Sequence, residues 1–75
     1  MSYKKGGFMK IDIKKFELLL AEKCIETREL SKISGLAETT ITRIKKGQQN
    51  AKPVTIGKIA RALNVDVADL LQAEN

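Results

Sequence analysis

The spacing of apolar residues along this chain of 75 residues is helical for most of its length. In the first third, Ile13, Phe16, Leu20 and Cys24 recur every three or four positions, which places them along one side of a helix. Asp12 stands directly before them and is a residue type that caps helix N-termini. We therefore predict a first helix that begins after Asp12 and buries Cys24 in the core.

Leu18 and Leu19 widen the apolar face of this first helix beyond what one small core needs. Two interpretations are open. One edge of the face contacts a partner or covers the N-terminal segment, or else the whole face is covered by the last helix of the chain. The sequence favours the second interpretation.

Two short helical patterns occupy residues 26–47 and are separated by one glycine. In the first pattern, Leu30 and Ile33 lie three positions apart beside small serines, which suits a short helix that another helix crosses closely. We predict this helix over about residues 27–34. Gly35 ends it, because glycine readily adopts the left-handed backbone conformation that a tight turn between helices needs.

The second pattern predicts a helix over about residues 38–46. Ala37, Ile41 and Ile44 fall at i, i+4 and i+7 and form one buried stripe. The opposite face is polar and consists of Glu38, Thr39, Thr42 and Arg43. A polar face on a helix that is anchored by its other side is a candidate binding surface.

The last third of the chain predicts two further helices. Residues 48–54 combine amides, a lysine and a proline without any period, which indicates a loop. Thr55 is a good N-cap for a fourth helix, and Asn64 is a candidate left-handed cap at its end. The apolar stripe of the fourth helix consists of Ile56, Ile59, Ala60 and Leu63. Asp66 then caps a short fifth helix, whose apolar residues are Val67, Leu70 and Leu71.

The composition divides the chain into an arm, one domain and a short tail. Residues 1–10 contain two glycines and three lysines without periodicity, and we expect a flexible basic arm there. This arm either lies along an anionic partner or is an extended start or a cloning remnant. Residues 11–72 are expected to form one domain, and residues 73–75 are expected to fray.

These patterns resemble the DNA-binding domains of the phage lambda repressor and Cro family, the XRE-type regulators. The matching positions are Leu30, Ser31, Gly35, Leu36, Ile41, Ile44, Gly47, Pro53, Thr55, Ile59, Ala60, Leu63, Val65 and Leu70. The resemblance covers about residues 11–71 and implies an all-α, compact five-helix fold. In that fold the second and third helices form a helix-turn-helix, and the third enters the major groove of DNA.

Three positions depart from the family pattern, which usually has glutamine at 27, alanine at 31 and serine at 37. Here they are Thr27, Ser31 and Ala37. Thr27 still carries a hydroxyl that can donate to a phosphate, and Ser31 is nearly the size of alanine. Ala37 removes a helix N-cap at a typical cost of about 1 kcal/mol. Glu38 in the first turn offsets part of that cost.

The charge of the chain agrees with an anionic partner, since it contains 14 Lys and Arg residues and 9 acidic residues and has a net charge of +5. For base contacts, Arg43 can donate twice to guanine, Thr39 can bond a base edge or touch a thymine methyl, and Glu38 can accept from a cytosine amine. Thr42 completes the candidate base-reading set. Glu38 also has a second interpretation, because a carboxylate repels phosphates and serves the helix dipole equally well.

The residues around the third helix are also suited to phosphate contacts. The candidates are Thr27, Arg28, Lys45, Lys46, Gln48, Gln49, Asn50 and Lys52. Each lysine could equally be a solubilising charge. However, donors that cluster after the recognition helix, rather than scatter over the chain, favour phosphate binding.

Catalysis, metal binding and cofactor binding have no support in the sequence. The chain contains no histidine, no metal-ligand cluster and no pair of carboxylates at a spacing that implies acid–base roles. Its one cysteine cannot form an internal disulfide, and no apolar run approaches the roughly 18 residues of a membrane span. We therefore expect a cytoplasmic, non-enzymatic protein without a small-molecule cofactor or a membrane segment.

The sequence thus predicts a transcriptional regulator of phage or mobile-element type that binds double-stranded DNA, with repression as the expected outcome. A domain this small makes few base contacts, so we expect a homodimer with two-fold symmetry. The candidate dimer interface consists of Val67, Leu70 and Leu71. The alternative is a protein-interaction module or antitoxin-like partner that keeps the fold without binding DNA.

Overall fold

Four α-helices and one short 3₁₀ turn make up the secondary structure of residues 10–47 and 51–72, the part of the chain that the computed structural model describes. In chain order the helices, named α1 to α4, are Ile13–Glu22, Thr27–Ser34, Glu38–Lys45 and Pro53–Leu63. The predicted all-α class is confirmed. None of these helices is long and apolar enough to cross a membrane. Most of the predicted arm, and the amides Gln48, Gln49 and Asn50, lie outside the described residues.

The predicted fifth helix is wrong, because only a single 3₁₀ turn, Val67–Asp69, forms there. Its start is closed by the Asp69 carboxylate, which accepts a hydrogen bond from the Asp66 N–H at 3.3 Å. Beyond the turn the chain is extended and pairs with the residues that precede α1. That pairing prevents the turn from continuing as an α-helix.

The pairing joins residues 10–12 to residues 70–72 around an antiparallel bridge between Ile11 and Leu71. The backbone bonds run from the Asp12 N–H to the Leu70 carbonyl, at 2.8 Å, and from the Gln72 N–H to the Lys10 carbonyl, at 3.1 Å. Both ends of the described fold therefore lie side by side.

The core is built from apolar side chains of all four helices. The fully buried residues are Phe16 from α1, Leu30 from α2, Ile41 and Ile44 from α3, Ile56, Ile59 and Leu63 from α4, and Leu70 after the turn. Each such side chain stabilises the fold by about 1.5–3 kcal/mol when it is removed from water. Because α3 packs against both α1 and α2, it is held from two sides.

Three residues that were predicted in buried faces lie at the surface instead. Leu18 is 58% exposed, since the 3₁₀ turn supplies no last helix to cover it. Ile33 is 49% exposed, and Leu36, after the turn, packs against the core. Ala37 is exposed because it is the N-cap of α3, where the backbone is still extended and lies off the helical stripe.

Cys24 is also exposed rather than buried, because α1 ends at Glu22. Cys24 adopts a left-handed conformation with a φ of 55°, and the Ile25 N–H reaches back to the Leu20 carbonyl at 2.9 Å. This is the Schellman arrangement that satisfies the last carbonyls of a helix. α4 ends in the same way at Asn64, with a φ of 58°, as predicted.

The helix starts show one confirmed cap and one correction. Asp12 caps α1 as predicted, since its Oδ1 accepts a hydrogen bond from the Lys15 N–H at 3.1 Å. Thr55 is not the N-cap of α4, because this helix begins earlier, at Pro53, with Lys52 in the cap position. Proline is pre-organised for the first helical position and has no N–H to leave unpaired there, so the helix starts at Pro53.

The turn between α2 and α3 combines a left-handed glycine with two serine side chains. Gly35 has a φ of 80°, as the sequence predicts. The Ser31 hydroxyl donates to the Leu36 carbonyl at 2.6 Å, and the Leu36 N–H donates to the Ser34 Oγ at 3.2 Å. The departure from alanine at position 31 therefore adds a hydrogen bond that alanine cannot make.

Replacing Gly35 by alanine is expected to lower the free energy of unfolding by about 1–2 kcal/mol, because a left-handed residue with a Cβ is strained. No neighbouring atom lies within 4 Å of the added Cβ, so crowding plays no part. Gly57→Ala is the matched control: its site in α4 is equally open, but its backbone is helical. That variant should gain about 0.5–1 kcal/mol. Urea denaturation measures both, and shifts of the same sign would contradict the assigned role of Gly35.

Candidate nucleic-acid interface

The outer face of α3 is the polar surface that the fold leaves open. Ile41 and Ile44 hold the helix to the core with 0% and 1% of their surface exposed. On the other side Glu38, Thr39 and Arg43 are exposed, and Thr42 is half-buried. A helix of eight residues is roughly 12 Å long, which is short enough for its whole outer face to lie against one partner.

Within the part of the chain that the structure describes, no side chain caps the backbone N–H groups in the first turn of α3. Its N-cap, Ala37, has the extended backbone of a cap but supplies no capping hydrogen bond from its side chain. The N–H groups of the first turn therefore depend on water or on a ligand. Glu38 is acidic and lies in that first turn, where its carboxylate stabilises the positive end of the helix dipole. The structure thus supplies a helix-stabilising role for Glu38 beside the predicted base contact.

The structure brings two of the predicted phosphate contacts together. The Lys45 Nζ donates a hydrogen bond to the Thr27 Oγ1 at 3.2 Å, in a partly buried position. Thr27 is the first residue of α2 and Lys45 is the last residue of α3. The bond therefore links the N-terminus of α2 to the C-terminus of α3, which are the two helix ends away from the turn at Gly35. Both residues are only half-buried, so each remains accessible to solvent.

The other predicted phosphate contacts within the described residues lie at separate positions on α2, α3 and α4. Lys46 is exposed at the C-cap of α3, and Lys52 is exposed at the N-cap of α4. Arg28 is exposed and lines a surface depression together with Glu26, Glu29, Lys32 and Ile33.

The basic residues of α3 lie toward its C-terminal end, where Arg43 and Lys45 occupy the last turn. Cations in this position interact favourably with the negative end of the helix dipole, by about 0.3–1 kcal/mol each. The same residues therefore stabilise the helix and offer positive charge to a ligand. Among the residues described, no three His, Cys, Asp or Glu side chains lie together as a metal ion would require.

The candidate dimer residues need one correction. Leu70 has 0% of its surface exposed and belongs to the core of a single chain, so it is not available to a partner. Val67 and Leu71 are half-buried and pack against that core. The reason for the difference lies at the end of the 3₁₀ turn, where Leu70 is the C-cap and fills the core while the backbone of Leu71 pairs with Ile11.

Two hydrogen bonds of the helix-turn-helix were not predicted from the sequence, the one from Lys45 to Thr27 and the one from Ser31 to Leu36. The first joins residues 18 positions apart, and no local pattern reports such a distance. The second had a usable signal, because a serine at a position where the family has alanine, next to a tight turn, can bond the turn backbone.

Comparison with known proteins agrees with this geometry. A family model described as the Cro/C1-type HTH DNA-binding domain matches residues 15–75. The fold is similar to the restriction-modification controller protein C.AhdI from Aeromonas hydrophila, with a TM-score of 0.75 and 27% sequence identity, over 79% of this chain and 89% of that one. It is also similar to the transcriptional regulator VanUg, with a TM-score of 0.71 and 22% identity, over 99% of this chain and 97% of that one. No curated protein matches the chain.

Proposed function

The chain belongs to the Cro/C1-type helix-turn-helix DNA-binding domain family, and from this we propose that it is a sequence-specific repressor of transcription from phage or a mobile element. Membership in the family supports binding to double-stranded DNA and a role in transcriptional regulation. The observation that carries sequence-specific binding is the outer face of α3, where Glu38, Thr39 and Arg43 are exposed while Ile41 and Ile44 anchor the helix. A repressor of this kind acts by occupying its operator.

In this proposal α3 lies in the major groove and reads bases through its outer face. Arg43 donates two hydrogen bonds to a guanine, because its planar guanidinium matches the O6 and N7 acceptors. Thr39 and Thr42 contact base edges or a thymine methyl group. Glu38 accepts from a cytosine amine at the N-terminal end of the helix, where its charge also serves the helix dipole.

Phosphates on either side of the groove are bound by the donors around α3. Thr27 and Lys45 lie at one edge of the helix-turn-helix, and Lys46 follows directly. Lys52 lies beyond the amide-rich residues 48–50, which we also assign to the phosphate contacts. These bonds set the register of the protein and carry no base preference.

The similarity to C.AhdI, a restriction-modification controller protein, supports a regulatory role for this chain. The rival proposal, a protein-interaction module that lost DNA binding, predicts no mobility shift with random-sequence DNA at low salt. The repressor proposal predicts a shift that strengthens when a selected operator is used.

We also propose that the protein binds its operator as a homodimer with two-fold symmetry. One module buries about 600–1,000 Å² on DNA, which is little for tight specific binding. Val67 and Leu71 are the remaining candidates for the shared patch, because both are apolar and only half-buried. Val67 lies in the 3₁₀ turn, which packs against α4, and Leu71 pairs with Ile11, so neither residue belongs to the outer face of α3.

Arg43→Ala is expected to weaken binding to the preferred site by about 1–3 kcal/mol and to relax the preference at one base position. Selection of bound sequences from a random library, followed by titration, measures both effects. Arg61→Ala is the matched control, since Arg61 is also an exposed arginine in the last turn of its helix but lies in α4. An Arg43→Ala protein that keeps the wild-type base preference would remove Arg43 from the base contacts.

Lys46→Ala should weaken binding to all DNA sequences about equally and reduce the slope of log K against log salt by about one unit, because one fewer counterion is released. Lys23→Ala is the matched control: Lys23 caps the C-terminus of α1 as Lys46 caps that of α3. Titrations at four salt concentrations give both slopes. If the two variants change the slope equally, the effect comes from net charge rather than from a phosphate contact.

The dimer predicts a palindromic operator with half-site centres roughly 34 Å apart, one turn of DNA. Sedimentation at saturation should find two chains per operator, and Leu71→Asp should reduce this to one weakly bound chain. Ala21→Asp adds the same charge to an exposed position of α1 and should leave the stoichiometry at two. Circular dichroism checks that both variants keep their helices. One wild-type chain per operator at saturation rules the dimer out.

A further inference from the structure

We propose that two copies of this chain join by antiparallel pairing of residues 10–12 about Ile11, so that the two-stranded ribbon of each copy becomes half of one sheet. This inference rests on the homodimer proposed above and names the contact that holds the two copies together. The observation behind it is the ribbon that residues 10–12 form with residues 70–72, which is closed along one outer edge and open along the other within the described residues.

The hydrogen bonds of the ribbon fix where the backbone groups of Ile11 point. The two bonds lie on either side of the bridge between Ile11 and Leu71, so these two residues form a non-hydrogen-bonded pair. In such a pair the N–H and C=O groups of each residue point away from the neighbouring strand. Those of Ile11 and of Leu71 therefore lie along the two outer edges of the ribbon.

The chain itself occupies the edge at Leu71 but not the edge at Ile11. The Leu71 N–H donates to the Ala68 carbonyl at 3.4 Å, and the Leu71 carbonyl accepts from the Lys15 Nζ at 3.4 Å. Among the described residues, neither the N–H nor the C=O of Ile11 has a backbone partner. Ile11 is only 7% exposed, and backbone groups left unpaired with so little water cost about as much as a lost hydrogen bond. A strand added at this edge satisfies both groups.

A second copy of the chain matches this edge in charge. Successive side chains of a strand alternate between its faces, so Lys10 and Asp12 share the face opposite to the buried Ile11. In a two-fold antiparallel pair centred on Ile11, Lys10 of each copy lies opposite the partner's Asp12, and the two Ile11 residues exchange N–H···O bonds. Opposite charges in that position stabilise a sheet and like charges destabilise it. The order basic, apolar, acidic in residues 10–12 is thus complementary to itself when reversed, as a two-fold contact requires.

Asp12 can form this ion pair without giving up its role in α1. Its Oδ1 accepts the capping bond from the Lys15 N–H, and a carboxylate has further acceptor sites for a lysine. Asp12 is half-buried and Lys10 is exposed, so both charges are within reach of a second chain.

The open edge also lies close to the C-terminal end of α3. Gly47 directly follows that end, and a Cβ added to it would lie 3.1 Å from the Ile13 Cδ1. Ile13 is two residues beyond Ile11, so a two-fold axis at Ile11 passes near the C-terminal end of both copies of α3. This arrangement agrees with a dimer in which the two α3 faces bind one operator.

Cysteine substitutions test the register of the pairing. Lys10 and the partner's Asp12 form a non-hydrogen-bonded pair, whose Cα atoms lie about 4.5 Å apart, within the range of a disulfide. Lys10→Cys chains mixed with Asp12→Cys chains, all carrying Cys24→Ser, should form a disulfide-linked heterodimer on mild oxidation with the operator present. Either chain alone should not cross-link, because the two copies of one position are diagonal neighbours about 7–8 Å apart. A mixture that cross-links no better than the single chains overturns the proposal.

Ile11→Pro and Ile11→Ala separate the backbone contact from the packing of the side chain. Both variants lose the buried isoleucine, but only proline removes the N–H, and its fixed φ suits an extended strand. The two bonds within the ribbon use other residues and remain. We expect Ile11→Pro to weaken the dimer about tenfold relative to Ile11→Ala, by sedimentation equilibrium. Equal affinities in two variants that keep their helical circular dichroism overturn the edge pairing.

Lys10→Glu tests the charge match, because it places two like-charged pairs across the axis. We expect the dimer to weaken about tenfold or more. Lys58→Glu is the matched control, since it makes the same change at an exposed position of α4 and should leave the dimer unchanged. If Lys10→Glu and Lys58→Glu act equally, net charge and not the pairing of Lys10 with Asp12 accounts for the effect.

The same measurements separate this inference from the proposed function. If two wild-type chains bind each operator but the cysteine mixture does not cross-link and Ile11→Pro dimerises like Ile11→Ala, the homodimer stands and its contact lies elsewhere. If one wild-type chain binds each operator at saturation, the dimer and the edge pairing fail together, while DNA binding stands.

Discussion

The burial of Ile41 and Ile44 is the interaction on which the rest of this structure depends. α3 has eight residues, and an isolated helix of that length is not stable in water. The two isoleucines are almost completely buried and together stabilise the packed helix by about 3–6 kcal/mol. Their packing both forms the helix and decides which side remains outside. The polar face of α3 is therefore a consequence of the core.

The angle between α2 and α3 is restrained at both ends of the helix pair. On one side the left-handed Gly35 and the Ser31 hydroxyl hold the turn, and on the other side Lys45 is bonded to Thr27. Ser31 and Thr27 stand where the family usually has alanine and glutamine. Each of them makes a hydrogen bond within the helix-turn-helix. These contacts restrain the angle between the two helices before any ligand arrives, which reduces the entropy lost on binding.

The two ends of the described fold pair with one another through backbone hydrogen bonds, and neither end is itself a helix. Residues 70–72 pair with residues 10–12, and Leu70 fills the core. This arrangement replaces the expected fifth helix, because backbone groups that a helix would use internally are committed to the pairing. Within the described residues 67–72, the large apolar side chains that remain half-buried are Val67 and Leu71.

The sequence by itself determined the parts of this protein that depend on near neighbours. The helical periods, the polar face of α3, and the caps at Asp12, Gly35 and Asn64 follow from residues within about four positions of one another, because helix hydrogen bonds and turns span that distance. Only the tertiary structure decided which apolar residues are covered, where α1 stops before Cys24, and that Lys45 reaches Thr27. Those outcomes depend on how segments far apart in the chain pack together. Spacing along a sequence carries no measure of such distances.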